Sequence, residues 1–62
     1  MAEYQELNGF LHSKGIAATG GQIKNIIRSG AVLVNGVVET RNKRKLVKGD
    51  EVMLGDKIWK VT

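Results

Sequence analysis

Between Tyr4 and Lys14 the apolar residues Leu7, Phe10 and Leu11 fall at i, i+3 and i+4, which predicts a helix with one buried stripe. Gly15 follows as its stop, because glycine tolerates the left-handed backbone found there. Ile16 and Ala17 continue as a short apolar connector. A second helix is better marked. Thr19-Gly20-Gly21-Gln22 has the form of a capping box, Ile23, Ile26 and Ile27 supply the buried face, and Gly30 ends it. After Gly30 the period changes: Ala31 to Val34 and Val37 to Glu39 flank Asn35-Gly36, the strongest short signal for a hairpin with a type I′ turn. Residues Thr40 to Lys45 are polar and cationic, hence a loop, and Leu46-Val47 resumes apolar character. Lys48-Gly49-Asp50 turns. Glu51 to Leu54 then reads as a strand, Gly55-Asp56 as a type II′ turn, and Lys57 to Val61 as the closing strand. The expected class is α+β, two helices packed against a small antiparallel sheet.

Composition narrows the function classes. With 62 residues the chain is one domain, 1–62, with a thin core that leaves no room for a deep catalytic pocket between lobes. Cysteine and proline are absent, which excludes a disulfide framework and a thiolate zinc site. No apolar run approaches the roughly 20 residues that a membrane-crossing helix needs. The start, Met1 to Gln5, is polar and acidic, unlike a secretory signal, and a reducing cytoplasm is the expected compartment.

Charge changes the picture more. The formal net charge is +4, but from Lys14 to Lys48 eight cations face a single acid, Glu39. A cationic middle between near-neutral ends predicts a face that attracts polyanions, with a merely solvated basic loop as the plainer reading. At about 100° per residue, Lys24, Arg28 and Gly21 share one flank of the second helix, beside its unpaired first amides. Two glycines in a first turn are poor helix formers. Either Gly20 and Gly21 let a phosphate reach the backbone, or they permit close packing on the first helix. The loop Arg41-Asn42-Lys43-Arg44-Lys45 holds four cations that a row of phosphates would bring to rest.

Other residues carry less. His12 has no second ligand or base and reads as a surface residue. Trp59 could stack on a base, but beside Ile58 and Val61 sheet or core packing fits better. Asp50 and Asp56 sit at turns, where short acids bond nearby backbone. Ser13 and Ser29 have no base near them in sequence, and Thr19 is occupied as a cap. No acid, base, nucleophile or metal set is assembled, so an enzyme is not expected and no cofactor is implied.

The runs Gly15-Ile16-Ala17, Gln22-Ile23-Lys24, Ile26 to Gly36 and Gly49-Asp50-Glu51-Val52 together resemble the S-four RNA-binding domain, also called the alpha-L motif. The resemblance covers roughly Leu7 to Val52, and the chain is similar to small stand-alone bacterial members. It departs at Glu6-Leu7-Asn8, where many members have Arg-Leu-Asp, and at Gly20, where many have Arg. The resemblance implies two helices on a short sheet, with the second helix and the following loop contacting structured RNA. The expected function is therefore non-catalytic binding of structured ribosomal or transfer RNA through its phosphates, with the ribosome as a candidate partner. The candidate RNA-binding residues are Gly20, Gly21, Lys24, Asn25, Arg28, Arg41, Lys43, Arg44 and Lys45. A monomer without membrane association is expected. The alternative is a protein-interaction module that offers the same basic face to an acidic or ribosome-associated partner.

Overall fold

Leu7, Phe10 and Leu11 are buried together on a helix, as their spacing requires, but that helix is shorter than the expected stretch from Tyr4 to Lys14. In a computed structural model that describes residues 5–62, strand β1 (Gln5–Glu6) precedes helix α1 (Leu7–Ser13). The expected helix began at Tyr4, which lies outside the described residues, as do Met1 to Glu3. Gln5 and Glu6 are extended instead. Glu6 has ψ 146°, and the pair is drawn into register with β4 (Lys45–Leu46), Gln5 opposite Leu46 and Glu6 opposite Lys45. The first amides of α1 then donate to loop carbonyls rather than to a capping side chain: Leu7 N–H to Arg44 O at 2.8 Å and Asn8 N–H to Asn42 O at 3.0 Å. At the other end Gly15 N–H donates to His12 O and Ile16 N–H to Leu11 O, the paired bonds of a Schellman stop, with Gly15 at φ +71°.

Helix α2 (Gly20–Arg28) is capped as its sequence dictates. Thr19 Oγ1 accepts from Gln22 N–H at 3.2 Å, and Gln22 Oε1 accepts from Thr19 N–H. Ile23 and Ile27 are buried, while Ile26 is half-buried at the edge of the core.

The remaining strands are β2 (Val32–Val34), β3 (Val37–Val38), β5 (Glu51–Leu54) and β6 (Lys57–Lys60), in the order β3-β2-β5-β6, each neighbour antiparallel. The β2–β3 turn has Asn35 at φ 53° and Gly36 at φ 81°, the signs a type I′ turn needs. Gly55 alone is positive in the β5–β6 turn, which fits type II′. The expected single sheet is thus two, a four-stranded one and the small β1–β4 pair.

Register decides which side chains meet the helices. Val34, Val52 and Trp59 line up on the inner face, with Val32 beside them. Together with Leu7, Phe10, Leu11, Ile23, Ile27, Leu46 and Val61 these valines form the core. Trp59 packs against it, its ring edge-on to Phe10 at 6.4 Å, so it serves packing. One row of the outer face is also apolar: Val38, Leu33, Met53 and Ile58 are aligned across four strands, with Val38 and Ile58 well exposed. Asp50 ties the turn before β5: its carboxylate accepts from Val47 N–H and from Asn35 Nδ2, and those bonds, Val47 first, lower its pKa. No helix of the described residues is long and apolar enough to cross a membrane.

Candidate nucleic-acid interface

Burial of Ile23 and Ile27 turns the opposite side of α2 outward. Lys24, Asn25 and Arg28 are all exposed, and Gly20, Lys24 and Arg28 form one row at i, i+4 and i+8. At the head of the row the capping box takes up the amide of Gln22, and the amides of Gly20 and Gly21 have no partner among the described residues. Both glycines are exposed. A Cβ built on Gly20 meets nothing within 4 Å, and one on Gly21 meets only Thr19 Oγ1 at 4.0 Å. Neither has positive φ. Packing against α1 therefore does not account for the glycines, and what remains is an uncovered helix start with a row of cations leading from it.

The absence of a steric or backbone reason has a direct consequence. Gly20→Ala and Gly21→Ala should each stabilise the fold, by up to about 1 kcal/mol in urea titration, because alanine fits the same backbone and loses less entropy on folding. Gly9, in α1 and equally open around its Cβ, supplies the control substitution outside α2. A loss of stability at Gly20 or Gly21 would mean that the first turn of α2 is tighter than it appears.

The second half of the surface is organised by an acid. The β2–β3 hairpin pairs Val34 with Val37 and Leu33 with Val38, and Glu39 N–H donates to Val32 O at 2.9 Å, carrying the pairing one step further. Strand alternation then sends the Glu39 side chain toward the inner face, where it is only 7% exposed. A carboxylate in that position must be paired. Its Oε2 accepts from the backbone N–H and from Nε of Arg41, both at 3.0 Å. Its Oε1 accepts from Arg41 Nη2 at 3.1 Å and from Arg44 Nη1 at 2.6 Å. The Arg41 hydrogen bond holds the Glu39 pKa down to about 2 against the opposing effect of burial, with Arg44 adding to it, and the same pair pushes Arg41 upward.

Of the loop cations, then, Arg41 and Arg44 are brought together on Glu39, Lys43 is exposed, and Lys45 is exposed at the start of β4. Lys24, Asn25 and Arg28 form a separate group with no hydrogen bond or ion pair to Arg41, Lys43 or Arg44 among the described residues. Helix α1 is the common support. Its first amides hold the loop, and its apolar face packs on α2. At the loop junction Asn8 Oδ1 and Asn42 Oδ1 are buried without a hydrogen-bond partner among the described residues. In the sequence Glu39 stands out only as the one acid among the central cations. The signal was present in the hairpin, since a two-residue turn at Asn35-Gly36 pairs Val32 with position 39.

The profile of a protein family described as the S4 domain matches residues 1–62, the whole chain. No curated protein matches the chain as a relative.

Proposed function

The chain belongs to the S4 domain family, whose members are generally RNA-binding modules, and from that premise we propose that it is a non-catalytic protein that grips structured ribosomal or transfer RNA by its phosphates. The observation that carries this reading is the row Gly20–Lys24–Arg28, in which unpartnered helix amides lead to two exposed cations with no ion pair among the described residues. Phosphate is the ligand that such a row suits: helix-start amides and partial positive charge favour an anion, and cations one turn apart follow a backbone of repeated charges. Asn25 adds an amide for a 2′-hydroxyl or a phosphate. Arg41, Lys43, Arg44 and Lys45 extend the surface along the loop. Helical RNA is read mostly by shape through phosphates and 2′-hydroxyls, which requires no stacking aromatic, and Trp59 is committed to the core. The place of action in this reading is the cytoplasm, on a single copy of the chain.

Lys24→Ala with Arg28→Ala should weaken binding across RNA sequences and lower the salt slope. Each phosphate contact contributes about 0.7–0.9 units of slope, so the double substitution should remove about 1.5. Filter binding of a folded RNA from 50 to 300 mM salt measures it. An unchanged slope removes α2 from the interface. No retention of RNA by the unaltered protein at micromolar concentration and low salt would favour the acidic or ribosome-associated protein partner.

A further inference from the structure

Glu39 accepts four hydrogen bonds on its two oxygens, which is about the full capacity of a carboxylate. Its two arginines are therefore fixed by their inner edges. Arg41 offers Nε and one Nη2 hydrogen to Glu39, yet its side chain stays 71% exposed, and Nη1 has no partner among the described residues. The outward pair of N–H groups on Nη1 and Nη2 is the edge that fits a phosphate with two parallel bonds. Arg44 is held twice, by Glu39 through Nη1 and by the Lys45 carbonyl through Nε. The loop between them is pinned from below, since Asn42 and Arg44 carbonyls accept from the first amides of α1.

We propose that Glu39 is a positioning residue of the RNA interface: it fixes Arg41 and Arg44 before RNA arrives, so that their outward N–H groups meet phosphates at a set spacing. This deepens the RNA-binding reading and rests on it. The chemistry it selects is a folded RNA, whose phosphates have a fixed spacing, over a flexible single strand, whose phosphates adapt to any arrangement of cations.

A charge-only view predicts the opposite sign, which makes the inference testable. Glu39→Gln removes one negative charge and raises the formal net charge from +4 to +5, so attraction alone would tighten binding to every RNA. Positioning predicts a loss. Ordering a freed arginine on binding weakens affinity roughly two- to twelvefold per side chain, and about tenfold is expected for the pair. The measurement is fluorescence anisotropy with an RNA hairpin and a single-stranded oligouridine of equal length, at 10 °C, with far-UV circular dichroism to confirm folding. Hairpin affinity should fall about tenfold in Glu39→Gln while oligouridine affinity holds or rises, so the ratio between them drops. Unchanged or tighter hairpin binding overturns the proposal, and so does an equal loss on both RNAs. Should Glu39→Gln fail to fold, Arg41→Lys retains every charge while losing the side-on pair. It should show the same drop in ratio, and wild-type behaviour from it also overturns the proposal. A wild-type protein that binds neither RNA refutes the underlying RNA reading instead, a result distinct from binding that ignores Glu39.

Discussion

Leu46→Ala is expected to remove about half of the domain's stability at 25 °C. Leu46 is completely buried in β4, one residue beyond the cationic loop and opposite Gln5 in the small sheet. Cutting a buried leucine back to alanine costs about 2–5 kcal/mol, from lost transfer energy and from the cavity left behind. A domain of this length has only roughly 3–9 kcal/mol to lose. It has no cysteine with which to staple itself, and among the described residues its core holds ten buried apolar side chains. Thermal unfolding followed by circular dichroism should show a midpoint lower by roughly 10–30 °C. Ile58→Ala, at a position 60% exposed on the outer sheet face, should stay within about 0.5 kcal/mol of the parent. Equal effects at the two positions would mean that β4 is not fastened to the core. The consequence reaches the interface, because Leu46 anchors the chain where the Arg41–Lys45 loop ends.

What was legible in the sequence was local. The capping box at Thr19, the apolar stripe on α2 and the Asn35-Gly36 turn each depend on residues within about one turn of chain, and each forms as read. What was not legible depends on distant backbone. Gln5 and Glu6 have no apolar alternation, and only pairing with Lys45 and Leu46, forty residues on, makes them a strand. The cap of α1 is likewise made by carbonyl groups of the loop, which every residue possesses and no motif announces. The candidate site divides in the same way. The row on α2 follows from helical spacing, whereas the grouping of Arg41 and Arg44 needs the hairpin register to bring Glu39 inward first. The glycines at 20 and 21 left packing and ligand approach equally open in sequence, and open space around both removes packing.

The Glu39 pairing should also set the acid limit of the fold. Its folded-state pKa of about 2 lies below the ordinary value of 4.5. A depressed carboxylate contributes stability that is fully present above the unfolded pKa and is lost as pH falls through the folded one. The window is therefore from about pH 4.5 down to about pH 2. The drop from 4.5 to about 2 corresponds to about 3 kcal/mol, and the exposure of Arg41 to solvent screens part of that, leaving about 1–2 kcal/mol. Asp50, lowered by Val47 and Asn35, acts in the same direction. Urea midpoints measured from pH 7 to pH 2 should stay level to about pH 5 and then fall. Glu39→Gln should start lower at pH 7, decline less, and meet the parent curve near pH 2. Parallel curves over the whole range would show that the carboxylate adds nothing to the fold through its charge. Since Glu39 stays ionised from pH 5 to 8, the clamp keeps its arginines in place throughout that range, and any pH dependence of RNA affinity there must come from another group.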